Sequence, residues 1–264
     1  MSNIIVEKAD GVWLLTINRP TKMNSLDFES HYQLVKIWQE FSKDSSAKVG
    51  VITGAGEDAF CAGADLKTYT MNFASRKTNE FRDEFVNGFG LGGITRGLQI
   101  DKPLIAAING YAVSGGLEIA LACDLRFCSE NAEFGLQDVK WGFHACDGAL
   151  VRLPHIVGMG ATMEMVLSGD LITAEHAYRI NLVNKVIPRN HLLKETLKYA
   201  KMLATRAPLA IKYAKQPLRS AISMSIDDAL KHEVRSFYDL GQSEDLAEGT
   251  RAFSERREAK FQGK

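Results

Sequence analysis

Residues Ile105–Leu153, IAAINGYAVSGGLEIALACDLRFCSENAEFGLQDVKWGFHACDGALVRL, decide how this chain is read. Leu104–Ile108 is a short apolar run, right for a strand buried on both faces in a parallel sheet. Asn109-Gly110 breaks it, and Ser114-Gly115-Gly116 precedes a second apolar stretch, Leu117–Cys123. Two adjacent glycines at a helix start let the main chain approach a ligand, with free N–H groups and the positive end of the helix dipole facing it. Glu118 falls in that first turn among apolar neighbours. A carboxylate there is either a favourable charge at a helix N-terminus or a proton-transfer group, and its position alone leaves both open. Asp124–Cys128 reads as another strand, and Phe134–Asp138 sets a second carboxylate at the end of an extended segment. Two acids beside a glycine-rich helix start can move protons next to an oxyanion site.

Outward from this stretch, the pattern is that of an α/β protein. Ile4–Glu7 and Val12–Asn18 form a hairpin around Asp10-Gly11. Ser25 or Asp27 caps a helix whose apolar side carries Tyr32, Leu34, Val35, Trp38 and Phe41. Val49–Thr53 is a buried strand, and strands alternating with helices imply a parallel sheet with right-handed crossovers. Thr68–Ile100 is irregular, with Met71, Phe73, Phe81, Phe85 and Phe89 scattered among charges. Helices are expected over Met159–Ser168 and Thr173–Ile180, a last strand over Val183–Ile187, and helix from Leu192 onward.

The composition removes several classes of function. The 32 basic and 32 acidic residues balance, so no basic field points to nucleic acid or an anionic membrane. The N-terminal stretch carries acids and alternates like a strand, unlike a signal peptide, and no apolar run approaches the ~20 residues that span a bilayer. Cys61, Cys123, Cys128 and Cys146 lack zinc-ligand spacing. Three of them sit in apolar contexts as reduced core residues of a cytoplasmic protein, whereas Cys146 has His144 and Asp147 beside it. GAGEDAF lacks the Lys-Ser/Thr of a phosphate loop and fails the dinucleotide pattern.

The runs NGYAVSGGLEIALACDLRF, AEFGLQDVKWG and RLPHIVG resemble the enoyl-CoA hydratase/isomerase (crotonase) superfamily. ITGAGEDAFCAGADLK upstream and MEMVLSGDLITAEHAYRINLVNKVIP downstream extend the resemblance over nearly the whole chain. It implies a crotonase-like ββα-spiral core, residues 1–204, followed by a helical trimerisation region, residues 205–264. It implies an acyl-CoA thioester substrate, with no further cofactor and no metal, and a homotrimer or dimer of trimers. The Ala64 and Gly115 N–H groups become the oxyanion-hole pair, and Ala62–Lys67 (including Asp65, Leu66 and Lys67) lies along CoA. Asp65 and Lys67 have a plainer reading, as a helix-start charge and a surface charge. Phe253 and Arg256 align where the family places an aromatic and a lysine against CoA from the next subunit. Arginine binds phosphate as a fork rather than a point charge, and a solvated basic tail is the alternative. Thr68–Ile100 becomes the wall of the acyl pocket, or simply a helix packed by its aromatic face.

Two departures bear on the reaction. Glu118 aligns with one hydratase glutamate, but the other position holds Asp138, shorter in reach by about 1.5 Å. The turn Phe143-His144-Ala145-Cys146-Asp147-Gly148 replaces a Pro-Gly-Ala-Gly-like turn near the α-carbon. Trp141, Phe143, His144 and Asp147 are therefore candidate acyl-pocket residues, although His144 and Asp147 equally serve to cap a turn. The favoured reading is a hydratase or dehydratase of 2-enoyl-CoA thioesters, acting through an enolate held in the oxyanion hole. An enoyl-CoA isomerase, or a β-diketone or acyl-CoA hydrolase, is the alternative. An RNA-binding role is disfavoured by the neutral charge balance.

Overall fold

The structure is a computed structural model in which residues 2–71 and 75–264 are described. Phe73 of the aromatic segment lies outside the described residues. The chain opens with β1 (Ile4–Ala9) and β2 (Val12–Ile17), an antiparallel hairpin. Its two-residue turn places Asp10 at φ 52° and Gly11 at φ 75°, as the expected Asp-Gly turn requires.

Thereafter the chain repeats one device. A long strand enters a large sheet, a short strand enters a second sheet, and a helical segment leads back. β3 (Val49–Gly54) is followed by β4 (Ala59–Cys61), β5 (Leu104–Ile108) by β6 (Tyr111–Val113), and β7 (Leu125–Ser129) by β8 (Glu133–Gly135). The large sheet has the order β1-β2-β3-β5-β7-β10, closed by β10 (Lys185–Ile187). The small sheet is β4-β6-β8-β9, with β9 at Ile172–Thr173. This is the ββα spiral implied by the resemblance.

The long strands are apolar without interruption because both faces are covered. Val49, Val51, Ile105, Ala107 and Phe127 face one core, with Leu192 and Ala200 of a C-terminal helix. The alternate residues Ile52, Ala106, Ile108 and Cys128 face a larger core shared with the second sheet. Into that larger core α1 (Phe28–Lys43) sends Leu34, Trp38 and Phe41. Asp27, not Ser25, caps α1 by accepting the Ser30 N–H. Tyr32 departs from the expected apolar side: it is exposed, and its hydroxyl donates to Glu84.

The segment after β4 contains the short helix α2 (Thr78–Phe81). Then come α3 (Gly115–Ala122), α4 (Ala149–Ile156), α5 (Gly158–Ser168), α6 (Ala174–Arg179) and α7 (Leu192–Ala204). The chain ends in α8 (Pro208–Ser220), α9 (Ile226–Leu240) and α10 (Glu244–Ser254). Lys215 of α8 ties these last helices to the spiral, with Nζ 2.6 Å from Asp124 and donating to the Lys102 carbonyl at 2.7 Å. Leu218, Ile226, Leu230, Val234 and Phe237 leave α8 and α9 with an exposed apolar face.

Candidate active site

The small sheet builds the site. β4, β6 and β8 are parallel neighbours, so their C-terminal ends emerge along one edge. Beyond β4 the chain reaches Ala64; beyond β6 it reaches Gly115 and Glu118; beyond β8 it reaches Asp138. Residues far apart in sequence thus line one cavity of about 850 Å³. Ligand sites outside the carboxyl ends of parallel strands follow the same logic in other α/β folds.

Its first component is a pair of main-chain donors. A parallel bridge joins Leu26 to Ala64, with the Leu26 N–H donating to the Gly63 carbonyl and the Asp65 N–H to the Leu26 carbonyl. In such a bridge the N–H of the intervening Ala64 points away from Leu26, and a Cβ built on Gly115 would lie 3.4 Å from its nitrogen. A Cβ built on Gly63, which sits at φ 89°, would lie 2.8 Å from the Gly115 nitrogen. At Gly116 a Cβ would meet the Cys61 carbonyl oxygen at 1.9 Å. Glycine is therefore needed at both positions for strand and helix to approach each other, and that approach brings the two N–H groups together. Gly115 is the first residue of α3, so its N–H has no partner within the helix. Ser114 just before it is held at φ 50°, an unusual conformation for a side-chain-bearing residue.

The second component is the pair of acids. Glu118 is only 2% exposed. Its Oε1 accepts two N–H bonds, from Asp147 at 2.7 Å and Ala149 at 3.0 Å. No side chain of its own caps α4, whose N-cap is Gly148, so Glu118 fills that role from α3. Burial pushes the Glu118 carboxyl up to about 8 despite these bonds, and the Asp147 and Asp138 charges push the same way. Asp138 is 5% exposed and lies in a 3-10 turn, Gln137–Trp141, rather than at the end of an extended segment. Its carboxyl is also raised by burial, against the opposing pull of the Ser114 hydroxyl. Oδ2 of Asp138 has no hydrogen-bond partner among the described residues. A buried carboxylate oxygen without a protein partner is a place for a ligand or water to bind.

The third component is the wall. Tyr69, Phe81, Tyr111, Trp141 and Phe143 give the cavity aromatic faces, and Leu66, Leu91 and Leu171 add aliphatic ones. His144 and Asp147 line it as well, as does the Cys146 thiol. Cys146 is an exposed residue, and the partial burial of its thiol together with the nearby Asp147 and Glu118 charges pushes it up to about 12. Cys61, Cys123 and Cys128 are buried and free.

Ala62, Ala64, Leu66, Gly115, Glu118, Asp138, Trp141, Phe143, His144 and Asp147 all line this one cavity. Four other candidates are elsewhere. Asp65 caps its own helical turn through the Lys67 N–H and pairs with Arg19 at 3.6 Å, the plainer of its two readings. Lys67 is exposed on the surface. Phe253, 86% exposed on α10, and Arg256 just beyond it do not reach the cavity of their own chain. Sequence reasoning assigns no role to Ser114 or Leu91, although the glycines beside Ser114 signal a tight turn there.

Two buried acids facing paired main-chain donors in an apolar cavity define a class of protein suited to proton transfer beside a stabilised oxyanion. Comparison with known proteins narrows the class. Residues 7–264 match the enoyl-CoA hydratase/isomerase family, and the chain belongs to it. It is 38% identical to the (E)-benzylidenesuccinyl-CoA hydratase of Thauera aromatica over 98% of this chain and 99% of that one. It is 36% identical to the short-chain-enoyl-CoA hydratase of Clostridium acetobutylicum, covering 97% and 96%. The crystal structure of an enoyl-CoA hydratase from Mycobacterium tuberculosis H37Rv superposes with a TM-score of 0.90 at 32% identity, covering 99% of each chain.

Proposed function

We propose that the protein is an enoyl-CoA hydratase, adding water to a 2-enoyl-CoA thioester or removing it from the hydroxyacyl product. The observation that carries this reading is the meeting of Glu118 and Asp138 with the Ala64 and Gly115 N–H groups in one cavity. The two N–H groups grip the thioester oxygen and draw electron density from C3, as donors aimed at developing charge do in a water-poor site. One water is held between the acids. The ionised acid takes a proton from it as the water oxygen bonds to C3, and the protonated acid delivers a proton to C2. The sum is addition of H2O across the double bond. With its carboxyl near 8, Glu118 exchanges protons close to neutral pH, where general acid–base catalysis works best. Because Oε1 already accepts two N–H bonds, Oε2 is the oxygen left to carry the exchanging proton.

No cofactor is needed beyond the CoA carried by the substrate. Ala62 and Leu66 line the approach of the CoA arm, and Phe253 and Arg256 contact CoA of a neighbouring subunit in a homotrimer or dimer of trimers. The exposed apolar face of α8 and α9, within residues 205–264, supports subunit packing as its use. The aromatic wall suits a cyclic or branched acyl group. No helix among the described residues is long and apolar enough to cross a membrane, in keeping with a place in the cytoplasm. Turnover against a panel of enoyl-CoA thioesters tests the proposal. Hydration consumes the conjugated enoyl absorbance, whereas isomerisation relocates the double bond and hydrolysis frees CoA thiol.

A further inference from the structure

Asp147 is a buried acid that the hydration reaction does not use. Its carboxylate is directed at the loop that follows Phe89. Oδ1 accepts the Leu91 N–H at 2.9 Å and the Thr95 hydroxyl at 2.9 Å, and it lies 3.2 Å from an Arg96 guanidinium nitrogen. The same guanidinium donates to the Cys146 carbonyl at 2.9 Å. Arg152 of α4 adds a second tie, donating to the Thr95 carbonyl at 2.7 Å and the Asp147 carbonyl at 3.3 Å. The turn ahead of α4 is therefore bolted to the 90–96 loop by one carboxylate and two guanidinium groups. Asp147 itself supplies one of the two N–H groups that hold Glu118, and Ala149, two residues on, supplies the other.

That turn needs an external fastening. Gly148 has φ 112° and offers no capping side chain, so the Asp147 and Ala149 N–H groups find their acceptor outside the turn, in Glu118 of α3. Both converge on a single oxygen of Glu118, and a shift of the turn would release or rotate that carboxyl. Misplacement by ~1 Å is enough to cost about 100-fold in rate.

We propose that Asp147 is a positioning residue, whose carboxylate locks the Cys146–Ala149 turn so that two of its N–H groups hold Glu118 for proton transfer. The inference rests on the hydratase reading for its role in turnover, but not for its geometry. It also makes Glu118 electrostatically answerable to the clamp. The charged and titratable groups around Glu118 are Asp147, Asp138, Cys146 and Arg152, with Arg96 on the far side of Asp147.

Two substitutions separate positioning from mere support of the fold. Asp147→Asn keeps an acceptor for Leu91 and Thr95 but removes the negative charge, so the Glu118 carboxyl titrates at lower pH. Arg96→Gln removes a positive charge from beside Asp147, so the Glu118 carboxyl titrates at higher pH. Opposite displacements of the Glu118 limb in the pH profile of kcat/KM are expected. In Asp147→Asn, kcat should fall by about 10- to 100-fold with KM changed only a few-fold. The 13C signal of the Glu118 carboxyl, followed across pH in labelled protein, reads the displacement without turnover. A wild-type protein that hydrates no enoyl thioester would overturn the hydratase reading while leaving that titration to judge the clamp. Limbs that stay in place, or move the same way in both variants, overturn the proposal, as does near-normal kcat in a folded Asp147→Asn protein. Should Asp147→Asn not fold, the direction of the Arg96→Gln displacement decides alone.

Discussion

The two acids of the site stand in contrasting parts of the molecule. Glu118 projects from the first turn of α3, a helix buried nearly throughout, and one of its oxygens is pinned by two main-chain N–H groups. Asp138 stands on a short 3-10 turn that also carries exposed Val139 and Trp141, and one of its oxygens is unpartnered among the described residues. Burial raises both carboxyls. The difference is one of freedom: α3 holds its acid by helix geometry and cross-chain donors, whereas a 3-10 turn, with its weaker hydrogen bonding, lets its acid adjust. A pair made of one fixed and one adaptable member accounts for a feature that looks like a defect in the sequence. Because that turn is held by weaker hydrogen bonds, the shorter Asp138 can find its place in the site.

The strongest way to break this contrast is to neutralise each acid in turn. Glu118→Gln and Asp138→Asn should each lower kcat by about 10²–10⁴-fold, the usual worth of a positioned acid or base. The double variant should be little worse than either single one, since groups that act as a unit are not additive. An isomerase would instead tolerate Glu118→Gln, because a single acid shuttles its proton. Steady-state rates for the three variants decide between the readings.

The proposed oxyanion donors offer the next largest effect. Gly115→Pro removes one N–H at the first position of α3 and strains the turn, since Ser114 before it is held at φ 50°. A Cβ there would lie 2.3 Å from Leu91 Cδ2 and press on the main chain of the facing strand, 3.3 Å from the Gly63 Cα and 3.4 Å from the Ala64 nitrogen. Turnover should fall by at least about 100-fold in protein that remains folded. Normal turnover would place the oxyanion site elsewhere.

Stability sharpens the contrast from the folded state's side. In the unfolded chain Glu118 titrates near 4.5, and in the folded protein near 8. The folded state therefore binds the proton more tightly, and Glu118 costs stability as pH rises through that window. Glu118→Gln keeps the shape without the charge, so its advantage over wild type should be absent below pH 4.5, grow up to pH 8 and then level off. A gain of up to about 5 kcal/mol at pH 9 is expected from urea unfolding. A constant difference across pH would show that the carboxyl is not shifted.

The smallest effect belongs to the adaptable member. Asp138→Glu should stay within about 10-fold of wild type, because the turn can give way to one extra methylene. Complete loss on that change would mean that the pocket is built to the length of aspartate.

Much of the site is legible in the amino-acid sequence. An acid inside the apolar run LEIALA is conspicuous, since burying a carboxylate without a use is costly. The glycines at 115 and 116 signal a close backbone approach, and the buried strands show themselves by unbroken apolar runs. The clamp on Asp147 is not legible. Its partners Leu91 and Thr95 lie 56 and 52 residues upstream, in a stretch with no periodic pattern. Tyr32 fits the helical spacing of a buried side, yet its hydroxyl is spent on Glu84 at the surface.

What the sequence determined by itself is whatever depends on near neighbours: strand and helix identities, the glycine turn, the presence of two acids, and membership of a family carried by contiguous motifs. Periodicity and backbone freedom are local properties, so a linear string records them. Tertiary structure alone decided which oxygen of Glu118 is held, why Asp138 keeps one without a partner among the described residues, and where Asp147 turns its charge. Those outcomes depend on burial and on donors contributed by distant segments. They exist only once parallel strands have brought Ala64, Gly115 and Asp138 to one edge of the small sheet.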